Sequence, residues 1–185
     1  AITRAAREAG AQVTLVAGPV SLPTPRGVQR VNVKSAREML AASVDAAQTA
    51  TVFVATAAVA DWRPATQANH KIKKDGSGQA PLLQFTENPD ILHTIAQGER
   101  ARSGQLFCVG FAAESQDLVN NAQAKRARKG IPLLVGNIGP LTFGQDDNEM
   151  LLVDAAGVQP LPRAPKLVLA RKLIAEIARR MRAAA

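Results

Sequence analysis

Short apolar runs alternate along the chain with stretches of helical periodicity, the pattern of strand–helix units stacked around a mostly parallel sheet. Residues 1–9 read as a helix that Gly10 stops, followed by strands at 12–17 and 28–33. Ser35 caps a helix over 36–48, and Glu38 completes a capping box. Thr51-Val52-Phe53-Val54-Ala55-Thr56 and Leu106-Phe107-Cys108-Val109-Gly110-Phe111 have the continuity of buried strands. Residues 57–64 are too irregular for helix or strand, and 69–78 are polar and basic, ending in a Gly76-Ser77-Gly78 turn. A strand at 82–85 precedes a helix over 89–97, with Asn88 as N-cap and Pro89 at the first helical position. Further along come a helix over 114–129, a strand at 132–136 and a hairpin pairing 150–153 with 158–161. The last helix, 165–182, lines up Leu167, Ala170, Leu173, Ile174, Ile177 and Met181 on one face.

The order predicts a Rossmann-like three-layer α/β fold with a mostly parallel sheet and a C-terminal β-hairpin. Such a unit opens with a strand and a phosphate-cradling loop, whereas this chain opens with the helix. It is therefore expected to lack its first strand. At 185 residues it has the size of one domain, residues 1–185, and 46% hydrophobic against 21% charged residues excludes disorder. A single cysteine, Cys108, rules out a disulfide framework or a cysteine-cluster metal site and reads as a core residue. No stretch has the length of a membrane span or the form of a signal peptide, so a cytoplasmic setting is expected.

The net charge of +8 invites an anionic partner. Its distribution narrows the choice. Residues 163–182 carry a net +6, read as the solvated face of the last helix, while 71–74 carry +3 and 125–129 carry +4. The remainder is acidic. Two short cationic clusters suit one polyphosphate better than a polymer. Nucleic-acid binding is further disfavoured by an aromatic content of 3% and the lack of any reading motif.

Ligands of open α/β sheets sit at the carboxyl ends of the strands, where three segments of small residues follow predicted strands. These are Ala57-Ala58-Val59-Ala60-Asp61, Phe111-Ala112-Ala113-Glu114 and Asn137-Ile138-Gly139. Asp61 can bind a ribose hydroxyl or a metal ion; equally, it can cap a turn. Lys71-Ile72-Lys73-Lys74 is either a solvated loop or a source of one ammonium for a transferring phosphoryl group. Lys125 and Lys129 share a helical face and can grip phosphates, although cations near a helix C-terminus also favour its dipole. Asn88-Pro89-Asp90-Ile91 offers helix-start amides, for recognition or for capping alone. A nicotinamide-dependent Rossmann oxidoreductase is the rival reading. It lacks an acidic ribose-binding residue after the 12–17 strand, and the chain has no Tyr to donate a proton.

In order and spacing these segments, together with Gly18-Pro19-Val20-Ser21-Leu22-Pro23-Thr24-Pro25 and Lys125-Arg126-Ala127-Arg128-Lys129, closely resemble bacterial phosphopantothenate–cysteine ligase. This family is the synthetase half of the bifunctional coenzyme A biosynthesis protein. The resemblance implies that CTP activates 4′-phosphopantothenate as an acyl-cytidylate with release of pyrophosphate. L-cysteine then displaces CMP to give 4′-phosphopantothenoyl-L-cysteine. It implies that Lys71 is the catalytic lysine on the α-phosphate side. It places Ala57, Ala58, Asp61, Pro89, Asp90, Ile91, Leu92 and Phe111 around CTP, with Lys125 and Lys129 on its phosphates. Mg2+ is expected to accompany the triphosphate, with Asp61 as a candidate ligand for the metal or for the ribose. A homodimer is expected, with the hairpin and the 82–85 strand as contributors. FMN belongs only to the decarboxylase domain that usually precedes, which this chain does not contain. The family's first strand and its Gly-rich, Ser/Asn-containing segment are also not found in it.

Overall fold

The computed structural model describes residues 1–66, 68, 70–73, 76, 78–114, 117–138 and 144–184. Helix α1 (Ile2–Glu8) leads into β1 (Thr14–Ala17), which pairs in parallel with β2 (Gln29–Asn32), Thr14 facing Gln29. Helix α2 (Ala36–Ala47) follows, and Ser35 accepts from the Glu38 amide as its sequence position predicts. The Glu38 carboxylate reaches one residue further back and accepts from the Lys34 amide, at 2.8 Å.

Strand β3 (Val52–Ala55) comes next. A short antiparallel arm then forms from β4 (Trp62–Pro64) and β5 (Phe85–Glu87), with Trp62 opposite Glu87. This corrects two expectations. Residues 62–64 are extended because β5 supplies a partner that cannot be seen locally, and the pairing falls at 85–87, leaving Leu82 and Leu83 outside the ladder. Helix α3 (Ile91–Ala96) begins later than predicted. Asp90 is its N-cap, accepting from the His93 amide at 2.9 Å, while the Asn88 side-chain oxygen accepts from Arg63 instead. A short α4 (Glu99–Arg102), absent from the sequence reading, leads to β6 (Phe107–Glu114).

The main sheet is built on parallel pairing of β3 with β6 and of β6 with β7 (Leu133–Ile138). Pairing of Ala113 with Asn137 and of Glu114 with Ile138 prolongs β6, so α5 (Leu118–Lys129) starts later than expected. Strands β8 (Asp147–Val153) and β9 (Val158–Pro165) add an antiparallel hairpin, giving the order β3-β6-β7-β8-β9. Helix α6 (Lys166–Ala184) closes the described chain.

Two-residue alternation along these strands separates two cores. Phe53, Cys108, Ala112 and Leu134 pack toward α2, α3 and α5, while Val109, Leu133, Val135 and Leu152 pack toward Leu169, Leu173 and Ile177 of α6. Helix–sheet–helix layering results, as predicted. Gly110 lies at the closest approach: a Cβ there would sit 2.8 Å from a Leu92 methyl and 2.7 Å from one of Ile131, so a larger residue would push the start of α3 outward. Cys108 is 1% exposed, and burial pushes its thiol up to about 11. It is a core residue, as read from the sequence.

The cations of α6 are less free than their position suggests. Arg171 pairs with Glu8 of α1 at 2.7 Å, and Arg180 lies between Asp154 and Glu176 with 11% of its side chain exposed. No helix among the described residues is long and apolar enough to cross a membrane.

One feature of the sheet is unusual. Strand β1 pairs only with β2 and β3 only with β6 among the described residues, so the main sheet and the β1–β2 pair are separate. Their unpaired edges line one cleft, through residues 13–16 and 52–56.

Candidate functional site

Parallel strands end on the same edge of a sheet, so the loop after β3 and the C-terminal residues of β6 and β7 come together. They border a cleft of about 1170 Å³ that continues between β1 and β3. The loop after β3 contributes Ala57, Ala58 and Asp61, and the approach to α3 contributes Pro89, Asp90, Ile91 and Leu92. Phe111 lines it from β6, and Lys125 and Lys129 line it from α5. Ten of the eleven residues singled out in the sequence thus share one cavity. Asn137, at the end of β7, joins them.

Lys71 is the exception. It is exposed, lies outside regular structure and is not among the cleft-lining residues. Lys73 is exposed as well, while Lys74 and Ser77, from the basic run and the predicted turn, lie outside the described residues.

The charges are arranged around Lys129. Its ammonium pairs with the Asp90 carboxylate, and only 15% of its side chain is exposed, against 44% for Asp90. Burial pulls its pKa below the usual lysine value, and the nearby Asp61 carboxylate opposes that shift. One ammonium therefore answers two carboxylates that belong to different segments. A phosphate entering here would meet a cation already desolvated. The gain matters because two unit charges 4 Å apart interact by about 1 kcal/mol in bulk water but about 4 kcal/mol near a protein surface.

The two carboxylate-bearing segments are fastened to each other. The Asn88 amide N–H donates to the Asp61 carbonyl at 2.7 Å, and Asn88 Nδ2 donates to the Ala60 carbonyl at 2.8 Å. Arg63 donates to Asn88 Oδ1 at 3.1 Å and also to the Glu87 carbonyl. Sequence reasoning placed Asn88 as a helix cap and passed over Arg63. The available signal was Asn88 standing immediately before Pro89, a position outside the helix, and nothing local announced its partner.

No group of three His, Cys, Asp or Glu side chains among the described residues is placed to hold a metal ion. Asp61 fits the more modest role of a single carboxylate on a Mg2+ whose other ligands are phosphates and water.

The family model for the DNA/pantothenate metabolism flavoprotein C-terminal domain matches residues 1–181. Over 173 residues the chain is 41% identical to the coenzyme A biosynthesis bifunctional protein CoaBC of Vibrio cholerae, covering 92% of this chain and 43% of that protein. It thus spans less than half the length of that relative. The crystal structure of the C-terminal domain of a CoaBC protein superposes with a TM-score of 0.75 at 29% identity, covering 95% of this chain and 78% of that one. A complex of the Cab2 mutant H337A with phosphopantothenate-cysteine shares the fold, with a TM-score of 0.65 at 17% identity over 84% of this chain and 53% of that one.

The charge arrangement makes a prediction. Asp61→Asn withdraws the interaction that favours the Lys129 ammonium, so the Lys129 midpoint in an NMR titration of its side chain should fall below that of the unaltered protein. An unchanged or raised midpoint would contradict this electrostatic coupling.

Proposed function

The chain belongs to the DNA/pantothenate metabolism flavoprotein C-terminal domain family, and from that premise we propose that it is the CTP-binding domain of a phosphopantothenate–cysteine ligase in coenzyme A biosynthesis. The observation carrying this reading is the convergence of Asp61, the residues opening α3, Phe111, Lys125 and Lys129 on one cleft at the carboxyl ends of parallel strands. In the proposed reaction a carboxylate oxygen of 4′-phosphopantothenate attacks the α-phosphorus of CTP. The bond to the β-phosphate breaks and pyrophosphate leaves. The amino group of L-cysteine then attacks the acyl carbon, CMP departs, and the amide forms with loss of a proton.

Both partners in the first step are anions, so cations must offset their repulsion while the chain holds them in line. Lys125 and Lys129 serve the phosphates. Residues 57 and 58, bearing only methyl side chains, let the nucleotide approach the backbone, and the apolar start of α3 and Phe111 surround it. Mg2+, when bound with the triphosphate, would neutralise phosphate charge, and Asp61 would be its protein ligand. Lys71 is assigned to the α-phosphate, although it is not among the residues that line the cleft. The paired state of Arg163, Arg171 and Arg180 supports a nucleotide rather than a polymer, because it removes much of the basic surface that a nucleic acid would use.

The domain is proposed to be completed by residues ahead of Ala1, which would place a strand between β1 and β3. The support is the pair of unpaired edges lining one cleft. A decarboxylase domain carrying FMN is proposed to precede this one in the longer protein, with a cytoplasmic location. A homodimer is proposed through the β4–β5 arm, where Trp62, Leu82, Leu83 and Phe85 are 61%, 94%, 49% and 58% exposed. That much apolar surface on a two-stranded arm is unusual for a free monomer.

Two outcomes check these assignments. The full-length protein should release pyrophosphate only with CTP and 4′-phosphopantothenate together, and Lys71→Gln should lower kcat by about a hundredfold or more with the fold retained. Near-normal turnover by that variant would remove Lys71 from the reaction. Sedimentation of the full-length protein should show a dimer that Phe85→Glu with Leu82→Glu dissociates; a monomeric parent, or a double variant that stays dimeric, would reject the arm as the interface.

A further inference from the structure

Asn88 ties together two parts of the cleft that lie far apart in the sequence. Its backbone donates to the Asp61 carbonyl and its side chain to the Ala60 carbonyl, while its own Oδ1 is held by Arg63. Two residues on, Asp90 caps α3 and pairs with Lys129. The Asp61 carbonyl and the Asp90 carboxylate are therefore fixed relative to each other through one half-buried amide. The β4–β5 register, which sets Arg63 opposite Thr86, brings the guanidinium to that amide.

We propose that Asn88, oriented by Arg63, is a positioning residue for the nucleotide: its two hydrogen bonds to the loop at 60–61 set the spacing between Asp61 and the Asp90–Lys129 pair. The inference rests on the CTP-binding reading of this cleft and extends it to residues which that reading leaves unassigned. Asn88 also lines the cleft. One Nδ2 hydrogen and one Oδ1 lone pair are engaged by Ala60 and Arg63, and the positioning role acts through Asp61 and Lys129. Arg63 can fill only an acceptor at Oδ1, leaving Nδ2 to donate. Aspartate at 88 would keep the Arg63 bond but set a carboxylate oxygen against the Ala60 carbonyl, so the loop would be repelled where it is now held.

Two readouts on the full-length protein test this with Asn88→Ala and Asn88→Asp. Without nucleotide, exchange of the residue-88 amide, which donates to the loop at the Asp61 carbonyl, should quicken about five- to tenfold relative to its intrinsic rate in both variants, the size expected for a weakened hydrogen-bonded clamp, with β6 and β7 unchanged. In CTP-dependent pyrophosphate release, KM for CTP should rise about five- to tenfold while kcat stays within about twofold, a split that general destabilisation would not produce. Unchanged exchange would overturn the clamp. Faster exchange at residue 88 with an unaltered KM, or a loss confined to kcat, would overturn the positioning role. Failure of the unaltered protein to release pyrophosphate with CTP would instead strike the ligase reading, and the exchange rates would still decide whether the clamp exists.

Discussion

Parallel pairing of β3, β6 and β7 is the constraint on which the rest of the molecule depends. Parallel strands require covering layers on both faces, and the alternation of Val109 with Cys108 and of Leu133 with Leu134 supplies an apolar side chain to each. The same pairing aligns the carboxyl ends of the strands, which is why loops separated by many residues meet at one cleft. It also leaves an unmet demand. The amides and carbonyls along the outer edges of β1 and β3 have no strand partner among the described residues, and both edges line that cleft. The site and the interruption of the sheet are thus neighbours.

The chemistry at the cleft depends less on the amount of charge than on how it is shared. The cations of α6 answer Glu8, Asp154 and Glu176 and hold the outer layer together. Lys129 is different: partly buried, paired with Asp90 and within reach of the Asp61 field, it is held where an arriving phosphate could compete for it. Burial that lowers its pKa also raises the worth of an incoming anion. The hydrogen bonds of Asn88 keep the two acidic segments at a fixed spacing around that ammonium.

Much of this was legible in the sequence. The apolar continuity of 106–111 marked β6, and the i,i+4 spacing of Lys125 and Lys129 put both on one side of α5, where both reach the cleft. Asp61, ending a run of small residues after a strand, lines the cleft. What escaped depends on partners distant in sequence. Trp62, Arg63 and Pro64 become a strand only because 85–87 lie alongside, and Asp90 rather than Asn88 caps the helix, the Asn88 side-chain oxygen being taken by Arg63. The exposed position of Lys71 was equally invisible, since a basic run reads the same whether or not it faces a ligand.

The most direct test of the account addresses the open edges. Amide exchange at Thr14–Ala17 and Val52–Ala55 can be compared between this chain and a longer form extended ahead of Ala1. If a strand inserted there completes the sheet, the edge amides of both strands should slow by about tenfold or more in the longer form, as expected on gaining ladder hydrogen bonds. Equal exchange in the two forms would mean that the edges stay open, and that the cleft between β1 and β3 is not the seat of a missing strand.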